Sequence, residues 1–384
     1  MVDGKRVVIT GTGPVSPVGI GCSAFWDGLL KGKSGLSIIT ESDRDFQTAG
    51  VIKKGELELW LKAIMKSSKL KRMGMQTIYG CIGARLAIED ARLNIEECNQ
   101  DRVGVILGSF LAQPEFAINE IDKLENFGVR KLSAYTPIAV FFGGPVGEIS
   151  IMLGIRGAST FVSTGTCSSL DAIGLAFRSI QINKHDVVLS GGVEAPVNPL
   201  LLSIFAEYFS TASKEKECVI GEGAGLLVIE EFEHAKKRGA RAYAEIIGYS
   251  SGIDSESWWF LNDSLPNTQK FEPILKSCLE EAEVVQENVV YIALNNDGIS
   301  LNEVRESNLI KQFFHPKTKT GSLKPLIGNL LGASGAMETI SICHYFNNKT
   351  FVSEGIHEND LNALVFSFDL LGNRSSFICL RGVR

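Results

Sequence analysis

Eight cysteines (Cys22, Cys81, Cys98, Cys167, Cys218, Cys278, Cys343, Cys379) and five histidines (His185, His234, His315, His344, His357) supply the thiols and imidazoles from which nucleophilic or metal chemistry is built. Their spacing excludes the commonest arrangements. No C-x-x-C pair exists and no histidine stands at ligand spacing from a cysteine, so neither a zinc site nor a disulfide framework is signalled. Gly11 and Gly13 in ITGTGPVSPVG follow a strand pattern as a dinucleotide fingerprint would. Pro14 and Pro17 break the register in which a third glycine opens a pyrophosphate-binding helix, so the reading is a glycine turn after the first strand. Asn295, Asn296 and Asp297 offer oxygen ligands, but only a fragment of a calcium loop surrounds them. No metal and no cofactor is expected.

The elements that must position such groups alternate in type. Arg6 to Thr10, Val103 to Gly108 and Val187 to Ser190 are short β-branched runs that predict buried strands, and Gln76 to Leu93, Leu170 to Ile182 and Gly335 to Phe346 predict helices. After GEGAGLLVIEE at 221 to 231 comes a charged helical segment, His234 to Arg241. The pattern then resumes with Val289 to Leu294 as a strand, Glu303 to Phe314 as a helix, and Ala363 to Phe368 with Phe377 to Leu380 as closing strands. This alternation predicts an α/β fold in two halves, 1–240 and 241–384. No internal repeat of solenoid length occurs.

With 384 residues, 45% hydrophobic and 21% charged, the chain can bury a large core. A formal net charge of -6 leaves no field for gripping phosphate backbones, so nucleic acid is not an expected partner. The one basic stretch, Lys66 to Arg72 (KSSKLKR), reads as a solvated surface or as a dock for an acidic carrier protein. No apolar run reaches the roughly 20 residues of a membrane span, and MVDGKRVVIT enters a strand without a signal sequence, so a cytoplasmic protein is expected.

Six blocks then occur in order: RVVITGTGPVSPVG (6–19), FWDGLLKGKSG (25–35), FVSTGTCSSLDA (161–172), SGGVEAP (190–196), GEGAGLLVIEEFEHAKKRGA (221–240) and LKPLIGNLLGASGAMETI (323–340). Together they resemble the elongating ketosynthases of fatty-acid and type II polyketide synthesis. The resemblance implies a thiolase fold, two similar α/β halves in a five-layered αβαβα arrangement, forming dimers. It also implies an active site with one cysteine and two histidines. A thiolate takes the acyl chain, aided by a helix N-terminus, and the imidazoles donate hydrogen bonds to the enolate formed as malonyl-carrier loses carbon dioxide.

Aligned without gaps on its flanks, the nucleophile block puts Thr166 where the family has cysteine, and Cys167 falls one residue later. One residue along a helix turns a side chain by about 100°, which directs Cys167 toward packing rather than the pocket. A hydroxyl needs a neighbouring base to become a nucleophile. The two histidine positions hold Asp297 and Asn329, and a carboxylate beside a forming enolate repels it. Lys324 and Glu222 are retained. In the family's glycine-rich gating loop Asp369 and Leu371 replace glycines, leaving Gly372, and the segment from Ser210 to Cys218 is short.

A ketosynthase fold without its triad is similar to the chain-length factors, the second subunits of type II polyketide ketosynthases. They carry a non-nucleophile at the cysteine position, usually glutamine, followed by a stretch like Leu170-Asp171-Ala172. The resemblance implies a heterodimer with an active ketosynthase subunit, service to an acyl carrier protein, and an acyl tunnel closed by bulky residues of the factor. Phe110, Leu111, Phe116 and Tyr135 are the chain-length gating candidates. Phe161, Val162 and Ser163 are the interface candidates. The alternative is a self-standing synthase that uses Cys167 with a non-standard catalytic set.

Overall fold

The computed structural model describes residues 4–39, 47–64, 67–70, 72–212, 218–253, 271–348, 361–370 and 374–383. Its strands are β1 (Val7–Ser16), β2 (Gly19–Ile20), β3 (Leu36–Ile39), β4 (Gln47–Gly50), β5 (Val103–Gly108), β6 (Thr160–Val162), β7 (Val187–Glu194), β8 (Gly223–Glu231), β9 (Ala244–Ile253), β10 (Val289–Ala293), β11 (Lys319–Gly321), β12 (Asn362–Phe368) and β13 (Arg374–Gly382). The main sheet runs β11-β10-β12-β13-β9-β1-β8-β7-β5-β6, with β2 folded back on β1.

Its two arms follow one pattern. β6, β5 and β7 are parallel, then β8 and β1 antiparallel; β11, β10 and β12 are parallel, then β13 and β9 antiparallel. The arms join where Val7 to Ile9 of β1 pair antiparallel with Ala244 to Ile246 of β9.

Strand alternation sorts the apolar residues into layers, because successive side chains point to opposite faces. Leu226 and Val228 face an outer layer with the Met75–Asp90 and Gly144–Leu153 helices, while Leu227 and Ile229 face inward. Inside, the Ser168–Gln181 and Ser334–Asn347 helices are sandwiched between the two arms, with Leu170, Ile173, Phe177, Met337 and Ile340 buried among residues of β1, β8, β12 and β13. On the far side Leu364, Phe366 and Phe377 meet the Glu272–Ala282 helix and Leu309. The result is a five-layered αβαβα α/β fold. Those central helices are nearly encased, so polar residues such as Ser169, Asp171, Glu338 and His344 are buried along with the apolar ones.

The glycine turn expected after Thr10 is not formed; β1 continues through Gly11, Gly13 and Pro14 to Ser16. These glycines serve close approach instead. A Cβ on Gly13 would stand 1.9 Å from Gly83 O and one on Gly11 2.3 Å from Ala87 O, so the Met75–Asp90 helix lies directly on the strand. The other elements lie where the sequence pattern puts them, with boundaries shifted by a few residues. Among the described residues no helix is long and apolar enough to cross a membrane, and no cluster of three metal-ligating side chains occurs.

Candidate active site

The site begins where β6 ends. Gly165, at φ +65°, reverses the chain so that Thr166 and Cys167 stand before the Ser168–Gln181 helix. Only glycine takes that conformation cheaply. The turn is pinned from below by Asp171, which is buried and accepts from Thr164 Oγ1 (2.6 Å), Tyr249 Oη (2.9 Å), Ser376 Oγ (2.5 Å) and Arg374 Nε (2.9 Å).

Thr166 and Cys167 are both buried and point to different partners. The Thr166 hydroxyl donates to Phe368 O at 2.8 Å. The Cys167 thiol is wholly inaccessible and leans toward Ser367 O (3.5 Å) and Arg374 O (3.8 Å) on β12 and β13. Burial, together with the negative charges of Asp171 and Asp369, pushes this thiol well above its ordinary pKa. A thiol so placed is a packing group with a weak S–H donor, not a thiolate.

Asp369 completes the change. Its Oδ1 accepts the backbone N–H of Thr166 at 3.1 Å. A free N–H at the head of a helix is the donor that an oxyanion requires, and here a carboxylate of the chain already occupies it. A Cβ on Gly165 would fall 1.8 Å from the same oxygen, so glycine makes the room for Asp369.

Asp297, the residue that the sequence resemblance puts at the first histidine position, lies beyond β10. Asp297 is buried; its Oδ1 accepts from Ile299 N (3.0 Å), and its Oδ2 accepts from Asn295 Nδ2 and Asn302 Nδ2, both at 2.7 Å. Burial raises its pKa although these donors and Lys324 oppose the rise. Asn295 Oδ1 takes the N–H of Phe368 (3.1 Å), and Asn302 Nδ2 also reaches Asp369 O (3.2 Å). Thr166, Phe368, Asn295, Asp297, Asn302 and Asp369 thus form one closed ring of hydrogen bonds. Glu306, raised to about 7 by burial, accepts from Asn295 N and Asn296 N, and Lys324 Nζ donates to Asn295 O.

At the second position, Asn329 Oδ1 accepts from Leu331 N (3.0 Å) and Ser334 Oγ (3.1 Å), and Nδ2 points at Cys218 Sγ, 3.6 Å away. Burial and Asp297 push the Cys218 thiol up to about 12. The three positions therefore adjoin one another, and each is tied to protein partners. Cys218, Asn302 and Asp369's bond to Thr166 are the features that reading along the chain missed.

Over this ring lies a small apolar cluster of Ala49, Leu202, Phe205, Ile220, Ile299, Leu331 and Leu370, joined at its rim by Phe110, Leu111 and Tyr208. Tyr208 Oη donates to Leu370 O at 3.0 Å. Of the gating candidates, Phe110 and Leu111 belong to this rim, held by N–H donation to Glu194 at 2.8 and 3.0 Å. Phe116 is half-buried on the Pro114–Phe127 helix, and Tyr135 is 47% exposed. Leu371, Gly372, residues 213–217 of the short segment and part of the Lys66 to Arg72 stretch lie outside the described residues; Arg72 itself pairs with Glu148 at 3.2 Å.

The interface candidates form the free margin of the sheet. Among the described residues β6 pairs only with β5, and Phe161 is half-buried, Val162 buried and Ser163 exposed. Beside them runs a groove of about 520 Å³ lined by Phe141, Phe142, Val146, Thr160 and Phe161. Phe141 and Phe142 are 63% and 46% exposed, and the Phe142 and Phe161 rings stand 5.9 Å apart.

Residues 4–235 match the N-terminal domain of beta-ketoacyl synthase and residues 243–354 its C-terminal domain. A 3-oxoacyl-[acyl-carrier-protein] synthase 2 of Coxiella burnetii is 34% identical over 365 residues, 88% of this chain and 84% of the relative. Two solved structures superpose across the whole chain. One is a type II polyketide synthase acyl-carrier protein in complex with its ketosynthase bound to the hexaketide, with a TM-score of 0.84 and 25% identity, covering 99% of this chain and 100% of that one. The other is the ishigamide ketosynthase/chain length factor, with a TM-score of 0.85 and 22% identity at the same coverage, a likeness of fold. The layered architecture described above is thus the thiolase fold, and with both domains matched the chain belongs to the beta-ketoacyl synthase family.

Proposed function

We propose that this chain is a non-catalytic ketosynthase-fold subunit, a chain-length factor that pairs with an active ketosynthase and shapes its acyl tunnel while an acyl carrier protein delivers the substrates. The observation that carries the reading is the Asp369 carboxylate on the Thr166 N–H, with the Thr166 hydroxyl already committed to Phe368 O. Nucleophile and oxyanion donor are both engaged within the protein, and the imidazole positions hold Asp297 and Asn329.

The partner reading rests on the free edge of β6 and its exposed aromatic margin, since a strand with unpaired backbone groups beside apolar surface invites another chain. In this reading Phe161, Val162 and Ser163 meet the partner ketosynthase. Phe110 and Leu111, at the rim of the apolar cluster, set the depth of the tunnel, with Phe116 and Tyr135 as further candidates.

A second reading has its own support. The Coxiella burnetii relative is named as a synthase in its own right, which favours a self-standing 3-oxoacyl-carrier synthase acting through Cys167 over a non-catalytic subunit. Intact-mass analysis separates the two. The purified chain, given an acyl-carrier thioester, acquires no acyl group, whereas its complex with a ketosynthase that keeps its cysteine and two histidines elongates the chain. An acyl adduct on the isolated chain that disappears in Cys167→Ala would overturn the first reading and establish the second.

A further inference from the structure

Behind the apolar cluster a single carboxylate gathers two separate segments of the chain. Glu194 ends β7 and is fully buried. Its Oε2 accepts from Phe110 N (2.8 Å) and Gly332 N (3.2 Å), and its Oε1 accepts from Leu111 N (3.0 Å) and Ser109 Oγ (3.0 Å). Ser109 is fixed on its other sides as well, since its N–H donates to Val162 O of β6 (3.1 Å) and its carbonyl accepts from Ser168 Oγ (3.2 Å). The backbone that carries Phe110 and Leu111 is therefore anchored at Ser109 and then clamped twice by Glu194.

The second segment is the turn of Leu331, whose φ of +46° is a conformation that a bulky side chain adopts only when its surroundings hold it there. Asn329 Oδ1 takes the Leu331 N–H at 3.0 Å and Glu194 takes the next one. Glycines let the segments meet. A Cβ on Gly332 would stand 2.5 Å from Phe110 N and 2.9 Å from Glu194 Oε2, and one on Gly192 would stand 2.8 Å from Ala333 Cα. Phe110, Leu111 and Leu331, the apolar side chains that these two segments bring to the cluster, are thus placed by one group. A carboxylate suits that position and an amide does not. An ionised carboxyl accepts at both oxygens, whereas a glutamine would turn its NH2 either toward Leu111 N or toward Phe110 N and Gly332 N, and a buried donor that faces a donor is left unpaired.

We propose that Glu194 is a positioning residue for chain length: by holding Phe110 and Leu111 against the Leu331 turn, it fixes how far an acyl chain runs into the apolar cluster. The role rests on the chain-length reading of this protein and adds to it the group that decides where the two gating side chains stand. Glu194 is closed off from the chain and acts only through Phe110 and Leu111. Freed from the clamp, these two side chains withdraw, the end of the cavity deepens by their displaced volume, and longer chains fit.

The test compares wild type, Glu194→Gln and Phe110→Ala at pH 8, where the Glu194 carboxyl is ionised although burial raises it to about 7. Amide hydrogen exchange of the full chain reads the clamp directly, and in Glu194→Gln the Phe110 and Leu111 amides are expected to exchange at least about tenfold faster. Each variant is then paired with a ketosynthase that keeps its cysteine and two histidines and supplied with malonyl-carrier, and the share of each product length is read by mass spectrometry. A merely structural residue would lower the yield and leave that distribution alone. Glu194→Gln is expected to raise the share of products longer than wild type by about tenfold, in the same direction as Phe110→Ala. If Glu194→Gln does not fold, Ser109→Ala, which removes one of the four donors, takes its place. Unchanged exchange at Phe110 and Leu111, or an unchanged distribution where Phe110→Ala lengthens the products, overturns the role of Glu194. Faster exchange with product lengths that neither variant moves instead sinks the chain-length reading on which that role rests.

Discussion

Restoring a thiol to the turn tip is not enough to restore acyl transfer if Asp369 is what closes the site. In Thr166→Cys the new thiol stands where the proposed reading puts the family's nucleophile, but its backbone N–H still faces the Asp369 carboxylate at 3.1 Å. An oxyanion must come within about 2.7–3.1 Å of that N–H, so the donor is lost to it, and loss of one such donor costs about 2.7–4 kcal/mol, a factor of 10² to 10³. Repulsion adds to this: two unit charges about 4 Å apart at an effective dielectric of about 20 oppose each other by about 4 kcal/mol. The double variant Thr166→Cys/Asp369→Gly, with the carboxylate removed and the N–H freed, is therefore expected to take up an acyl group at least ~100-fold faster than Thr166→Cys alone. Single-turnover incubation with an acyl-carrier thioester, quenched and read by intact mass, measures both rates. Equal rates would refute the reasoning, because Asp369 would then be a bystander.

Two further outcomes concern stability. Asp171→Asn leaves the Arg374 guanidinium, 20% exposed, without its carboxylate and disturbs four donors at once; breaking a buried pair in this way costs about 3–5 kcal/mol, read as a lowered denaturant midpoint. The buried carboxyls of Glu194, Glu222, Glu306 and Glu338 are raised by burial from 4.5 to about 7, so the folded state binds more protons than the unfolded one between those values. Their contribution is greatest below pH 4.5 and is lost as pH rises to about 7, so denaturant midpoints fall across that window, and Glu338→Gln makes the fall shallower. A midpoint that climbs through the same window would contradict this.

The sequence by itself determined the alternation of strands and helices and the family, and it proposed Thr166, Asp297 and Asn329 as the substituted positions, because these are readings of local pattern and of short blocks with rigid internal spacing. Asp369 was visible as a non-glycine in a glycine-rich loop. Its role was not, since the N–H it accepts lies 203 residues away. The same limit explains the misread turn after Thr10: Gly11 and Gly13 look like turn residues along the chain, and only the helix packed on them shows that they are glycine to admit its backbone. Tertiary structure alone decided where the Cys167 sulfur points and what surrounds Asn329, because hydrogen bonds and burial join side chains that chain order keeps far apart.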